Sequence, residues 1–411
     1  MHKIRLRVWH TRSSLRRHSA ARRLPLDAFP LVALSLSVRQ KSYVCQYFAG
    51  TDDLKPEDNS SLFDPRVVRE GLLQRNEGED ARCLTCNHRC LIQDGKRGLC
   101  GTRIGVNGRV TTLCYGNISS ISNNPIEKKP FFHFAPGTMA LTVGSWGCNA
   151  TCLFCQNYEI SKRKPTPDIS RYMSPEEFVD RALLQGSEGT SISLNEAATL
   201  MLEWNIEVFK LAHERGLYNS IVTNGYMTDD AVDLMADAGL DAANVDIKGC
   251  AEAVQRICGL HIEHVWDCIA HMKKMGVHVE LTTLVVPGLS DDEDCLRQIA
   301  SRIVSDFGPD MPWHVNRFFP YYRYKKPKTP IEVLLKARDL GRRSGLHYVY
   351  IGNALQQGLE DTICPRCGNL CYNRYGLHST NTGSDAQGRC ARCGLDLGIV
   401  TWSRDRKHAF N

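Results

Sequence analysis

Residues 147–159 read GCNATCLFCQNYE, with Cys148, Cys152 and Cys155 spaced CxxxCxxC, a glycine before the first and an aromatic, Phe154, before the third. Zinc sites that hold a fold together, and ordinary iron–sulfur clusters, are closed by four ligands. Three ligands leave one coordination position open, which is what a catalytic metal site keeps for substrate. The bland alternative is a three-cysteine zinc site completed by His133 or a water. It fits the spacing poorly and leaves the apolar runs around the motif unexplained.

Those runs set the fold. From Met139 onward short β-branched stretches alternate with amphipathic ones: MALTVGS (139–145), TSISLN (190–195), NSIVTN (219–224), AANVDIK (242–248), VHVELTTLVV (277–286), WHVNRF (313–318) and HYVYIG (347–352). This is the pattern of βα units around a parallel sheet. MSPEEFVDRALLQG opens with Ser174 and has Glu177 three residues on, a capping box that predicts the start of the first helix. Six or seven such units fall short of the eight that close a barrel, so the sequence predicts an α/β fold, a partial (β/α)6-type barrel with an open side. The CxxxCxxC follows the first of these strands at its C-terminal end, on the catalytic face of such barrels.

At this point the chain resembles the radical S-adenosylmethionine (radical SAM) superfamily. The resemblance implies that Cys148, Cys152 and Cys155 hold three irons of a [4Fe-4S] cluster. The fourth iron is left to chelate S-adenosylmethionine, whose reductive cleavage yields methionine and a 5′-deoxyadenosyl radical that abstracts hydrogen from a substrate. Phe154 matches the family's aromatic position. SLNEA (193–197) occupies the slot of the family's Gly-Gly-Glu motif, which assigns Glu196 to the methionine ammonium with Asn195 beside it. VTNGY and VDIKG end the next two strands and put Asn224, Asp246 and Lys248 on the same rim as further cofactor-binding candidates. Asn224-Gly225 is also an ordinary turn dipeptide. Thr282 and Thr283, ahead of VVPGLSDDE, are weaker candidates.

Within the superfamily, NPIEKKPFFHF (124–134), CQNYEIS (155–161), MPWHVNRF (311–318), YVYIGN (348–353) and GLEDTICPRCG (358–368) together resemble the AmmeMemoRadiSam-system enzymes, relatives of the pyruvate formate-lyase activating enzyme, from about Cys83 to Cys393. The chain departs from that pattern in two places. Ala197 stands where members usually carry proline after Asn-Glu, and members often carry a histidine near the position that Phe319 holds here. The resemblance implies a low-potential electron donor of the ferredoxin or flavodoxin type; the substrate, a protein among the possibilities, is not named by the sequence.

Two more cysteine groups flank the barrel. CPRCG (364–368) and CARCG (390–394) are paired knuckles, so Cys364, Cys367, Cys390 and Cys393 are expected to form a zinc ribbon, with Cys371 a bystander. CLTCNHRCLIQDGKRGLCG offers Cys83, Cys86, Cys90 and Cys100, with His88 as a spare, for zinc or an auxiliary iron–sulfur cluster; thiolate count alone does not choose. Cys250, Cys258, Cys268 and Cys295 are scattered, and Cys45 and Cys114 have no evident partner. Clusters at metal-ligand spacing in a long chain point to a reducing compartment rather than a disulfide scaffold.

Composition bounds the rest. The 411 residues are 42% hydrophobic and 23% charged, within the globular range. The net charge of +6 is concentrated: residues 1–51 hold eight Arg and two Lys against Asp27, a net +9, which leaves the remaining chain at −3. An Arg- and Ser-rich, acid-poor start has the composition of a mitochondrial or plastid transit peptide, or else of a basic tail on a cytoplasmic protein. No run is long enough to span a bilayer, so a soluble intracellular protein is expected. The expected organisation is a basic tail (1–51), a polar linker (52–82), a cysteine-rich subdomain (83–135), the barrel (136–352) and a ribbon-like extension (353–411).

Rival classes remain. A zinc-ribbon nucleic-acid-binding protein would need a basic body, whereas the body here is mildly acidic. Within radical chemistry the rival is a glycyl-radical enzyme activase, although Val222 stands where those activases typically carry an acid before Thr-Asn-Gly.

Overall fold

The computed structural model describes residues 59–403, which belong to one compact unit spanning Thr51–Asn411. The expectations for residues 1–51, including the targeting segment and Cys45, lie outside the described residues. Among the described residues no helix is long and apolar enough to cross a membrane.

The centre is an eight-stranded sheet whose order follows the chain: β1 (Ser120–Pro125), β2 (Met139–Gly144), β3 (Gly189–Ile192), β4 (Tyr218–Thr223), β5 (Ala242–Asp246), β6 (His278–Val285), β7 (Trp313–Arg317) and β8 (Val349–Gly352). Strands β2 to β8 are all parallel, and β1 runs antiparallel on the edge beside β2. All seven parallel strands coincide with the seven apolar runs. Parallel strands are buried on both faces and so read as near-continuous hydrophobic stretches. The sheet's edges, β1 and β8, are not paired with each other, leaving the expected open side.

Helices α1 (Pro175–Leu184), α2 (Leu202–Glu214), α3 (Asp229–Asp237), α4 (Ile262–Lys274), α5 (Glu293–Phe307) and α6 (Ile331–Arg343) make the crossovers. Ser174 caps α1 as its box requires, its Oγ accepting from Glu177 N at 3.1 Å. Apolar faces of α1 and α2 bring Phe178, Trp204, Val208 and Phe209 against the sheet, all fully buried. Burial of each such side chain stabilises by about 1.5–3 kcal/mol.

Part of the stretch read as a linker, 52–82, is ordered instead. Gln74–Glu77 and Asp80–Cys83 pair with Leu91–Ile92 in one small antiparallel sheet, and Arg69–Glu70 joins Arg109–Thr112 and Arg103–Val106 in another. These strands are short and half exposed, so the sequence shows no apolar alternation. A second correction concerns the scattered thiols: Cys250 and Cys295, 45 positions apart, are joined by a disulfide.

The N-terminal sheets are locked to the barrel by a buried ion pair. Arg103 donates from both terminal nitrogens to the two carboxylate oxygens of Glu203, at 2.8 and 2.9 Å, with side chains 1% and 6% exposed. Removing one partner leaves the other charged and buried, which costs about 3–5 kcal/mol. Glu203→Ala is therefore expected to lower the urea-unfolding free energy by about that amount; a loss under about 1 kcal/mol would show that the pair does not bear on the junction.

At the other end, Thr362–Ile363, Leu370–Tyr375 and His378–Asn381 form a three-stranded sheet. It is tied back to the segment ahead of β2. Arg374 Nη2 donates to Phe132 O at 2.7 Å, Val400 N to His133 O at 2.7 Å, and Ala135 N to Val400 O at 2.7 Å.

Candidate active site

A cavity of about 250 Å³ opens at the C-terminal ends of β2 to β6. The loop after β2 brings Cys148, Cys152, Phe154 and Cys155 to it, β3 brings Asn195 and Glu196, β4 brings Asn224, and β5 brings Asp246 and Lys248. Every residue expected at the triad and cofactor positions thus lines one cavity. Thr282 joins them, whereas Thr283 is on the opposite face of β6 and accepts from Trp313 Nε1 at 2.9 Å, as strand alternation requires.

The contacts divide these residues into two groups. Asn195 is spent on the loop itself: its Oδ1 accepts from Ser145 N at 3.0 Å and its Nδ2 donates to Gly147 O at 2.8 Å. Leu194 before it sits at φ +77°, an uncommon conformation for leucine and a local strain of about 1–3 kcal/mol at the cavity wall. Glu196 is buried and accepts from Thr199 Oγ1, Thr223 Oγ1 and Asn224 N. Burial raises its carboxyl above the usual range, against the pull of those donors and of Lys248.

Around the triad the field is mixed. Burial, with the charges of Glu196 and Cys152, pushes the Cys148 thiol up to about 12. Cys152 is pulled down by the hydrogen bond from the Cys258 thiol, helped against burial by Lys248 and Lys162. Lys248 pairs with Asp246 at 2.7 Å. Burial opposes its charge, yet Asp246 and Cys152 hold it protonated well above the ordinary lysine range. Cys155 Sγ is 3.1 Å from Ser161 Oγ, and Lys162 Nζ donates to Ala150 O at 2.7 Å.

Sequence reasoning missed Lys162, Ser161, Cys258 and Asn149. Lys162 follows Cys155 by seven residues, but a lone lysine carries no signal. Asn149, fully buried beside Cys148, accepts from Asn224 Nδ2 at 2.7 Å through Oδ1 and leaves its own Nδ2 with no partner. His133, the alternative zinc ligand, is elsewhere, buried between Leu397 O and Tyr350 Oη. His88 likewise faces Asn149 O at 2.7 Å rather than a metal site.

The residues fit an iron–sulfur cluster better than a single metal ion. Among the described residues, the group of three or more potential ligands whose donor atoms all lie within 4.8 Å is Cys364, Cys367, Cys390 and Cys393. There Cys364 and Cys393 are 3.5 Å apart and Cys367 and Cys390 3.6 Å, near the roughly 3.8 Å edge of a tetrahedron with zinc–sulfur bonds of about 2.3 Å. The triad is wider than that, as a multi-iron core requires. Asn149 Nδ2 adds an orphaned donor next to it. In the ribbon, Gly368 and Gly394 sit at φ +70° and +71°, the left-handed turn that closes each knuckle and that glycine adopts without penalty.

The N-terminal cysteines also converge. Burial and the charges of Cys83, Cys100 and Cys90 push the Cys86 thiol up. Cys114 is fully buried close by, where it acts on Arg97 together with Cys100.

Residues 144–299, which include the strand-end triad, match the Radical SAM superfamily. The chain belongs to the radical SAM superfamily. It is similar, at 37% identity over 336 residues, to the uncharacterized protein MJ0808 of Methanocaldococcus jannaschii, covering 81% of this chain and all of that one. The pyruvate formate-lyase 1-activating enzyme of Escherichia coli K12 is 23% identical over 168 residues, 40% of this chain and 68% of that protein. The GTP 3′,8-cyclase of Nautilia profundicola is 27% identical over 151 residues, 36% of this chain and 46% of that one. Membership implies a [4Fe-4S] cluster and S-adenosylmethionine as cofactors.

Proposed function

We propose that this enzyme cleaves S-adenosylmethionine in the cavity at the ends of β2 to β6, for hydrogen abstraction from a substrate that enters by the open side. The observation that carries the reading is the meeting of three thiols with Glu196, Asp246 and Lys248 around one small volume. Bound there, the cluster and its cofactor supply reductive cleavage to methionine and a 5′-deoxyadenosyl radical. Cys148, Cys152 and Cys155 hold the irons. Glu196, with lone-pair capacity left beyond its three donors, accepts from the methionine ammonium, and Lys248 and Lys162 offset the charge of thiolates and carboxylate. Phe154 walls the cavity, and Asn195 and Asn224 fix the loops that carry these groups.

A second hollow of about 290 Å³ shares Phe154, Gln156, Leu284 and Asn353 with the first, and its outer wall carries Arg317, Phe319 and Tyr321. This is the proposed substrate entrance. Electrons come from a ferredoxin- or flavodoxin-like protein. Cys364, Cys367, Cys390 and Cys393 bind structural zinc, supported by their tetrahedral spacing. Activation of a glycyl-radical enzyme is a second reading, favoured by the name of a Methanocaldococcus jannaschii relative, the putative glycyl-radical enzyme activating enzyme MJ1632, 25% identical over 210 residues.

The test is anaerobic incubation with dithionite and chromatography of 5′-deoxyadenosine. Glu196→Gln is expected to reduce product about tenfold or more, the worth of a charge-assisted hydrogen bond, with iron content unchanged. Equal product would remove Glu196 from the ammonium site. No product from the wild type with cofactor bound would remove the reaction.

A further inference from the structure

The structure assigns a second iron–sulfur cluster to Cys83, Cys86, Cys90 and Cys100. Three observations support it, none of which depends on the barrel cavity.

First, the four thiols are brought together by local structure. Cys83 and Cys90 face each other across a hairpin, Cys83 N donating to Cys90 O at 2.9 Å, with Cys86 in the turn between them. Gly98 closes the loop back: its N donates to Arg103 O at 2.9 Å, and a Cβ built on it would lie 3.8 Å from Cys90 Sγ. This delivers Cys100 to the hairpin.

Second, two guanidiniums lie beside the group, and one of them, Arg97, has no carboxylate partner among the described residues. Arg103 uses both terminal nitrogens on Glu203, but its Nε, in a side chain 1% exposed, has no partner. After Glu203, the acidic groups acting on it are Cys83 and Cys100. Half-buried Arg97 donates only to the carbonyls of Gly101 and Pro165, at 3.2 and 2.9 Å, and stacks over Phe63; the acidic groups acting on it are Cys114 and Cys100. A guanidinium stays charged, and burying one with no counter-charge is expensive. Neutral thiols supply none, whereas coordination to a metal deprotonates a thiol outright. Four thiolates on a doubly positive centre leave two negative charges, close enough to act on Arg97 and on Arg103.

Third, the spacing selects the centre. The ribbon cysteines sit within 4.8 Å of one another, and neither the N-terminal set nor the strand-end triad does so among the described residues. A single zinc needs the tight arrangement; a cubane core holds its four thiolates further apart.

The site also touches the triad loop. A Cβ on Gly147, at φ +77°, would lie 2.6 Å from Cys100 O, so glycine is required where the two cysteine segments cross, one residue before Cys148. His88 adds the contact to Asn149 O.

The experiment is anaerobic reconstitution of the full chain with iron and sulfide, followed by iron, sulfide and zinc analysis per chain and visible absorption. Wild type is expected to hold about eight irons, two [4Fe-4S] clusters. The Cys148→Ala, Cys152→Ala, Cys155→Ala variant is expected to keep about half of the iron and sulfide with its absorption band, and Cys86→Ser, Cys90→Ser to keep the other half. A triad variant stripped of all iron would overturn the assignment, with two zinc ions per chain marking a zinc site instead. If the triad variant kept all the iron and the Cys86, Cys90 variant lost it, this site would stand and the reading of the triad would fall.

Discussion

Replacing Cys148, Cys152 and Cys155 together by alanine is expected to lower 5′-deoxyadenosine formation by more than about a thousandfold, to the level of the reductant alone. The effect is this large because the three thiols act as one unit. No neighbouring side chain can substitute: Ser161 offers a hydroxyl, and Cys258, though beside Cys152, ends a different helix, Ala251–Cys258. The fold should survive, since the loop is pinned independently by Asn195 to Ser145 and Gly147 and by Thr151 N to Cys258 O at 2.8 Å. Circular dichroism and the zinc content are the controls. Product above a tenth of the wild-type rate, in a variant shown to lack the triad's iron, would rule out the triad as the seat of the reaction.

Removing the proposed zinc from the ribbon is expected to unfold residues 362–400 and to loosen the barrel with them. The ribbon's own core is small, with Cys371, Tyr372, Leu397 and Ile399 packed around the knuckles, so the proposed metal would supply most of its stability. Structural zinc contributes on the order of 10 kcal/mol to such folds. Arg374 is the link to the barrel: fully buried, it lies 4.4 Å over the Phe132 ring and donates to Thr362 Oγ1 as well as to Phe132 O. In Cys364→Ser, Cys390→Ser, mass spectrometry should show one zinc fewer per chain, and limited proteolysis should cut first between residues 364 and 393. A chain that lacked zinc, yet resisted protease equally with and without chelator, would refute this.

The barrel could be read from the chain because a strand buried on both faces has to be apolar throughout, as in VHVELTTLVV. The edge strand β1 escaped for the converse reason: SISNNP has one neighbour and a half-exposed surface, so polar residues suit it. The CxxxCxxC stood out as a candidate site because metal ligands recur at fixed spacing. Its surroundings were not. Asn149 and Asn224 are 75 positions apart, and Cys152 and Cys258 still further. Nothing local distinguishes Lys162, which gains meaning only from the thiols the fold places beside it. The same holds for Arg103, whose unpartnered Nε is visible only once Glu203 is seen to occupy the rest of the guanidinium.

The stitching of the ribbon to the segment ahead of β2 also imposes an order on the birth of the molecule. His133 Nδ1 meets Leu397 O across 264 positions, and Phe131 and Phe134 pack with Val400 and Trp402. A ribosome adding about 5–20 residues per second exposes KPFFHF for roughly 13–50 s before those partners emerge. Through that interval three phenylalanines in four residues have no C-terminal cover. The end of the barrel where the strands begin therefore seals last, after all seven parallel strands have been synthesised, and a chain cut short at the ribbon would leave the ribosome with that seam still open.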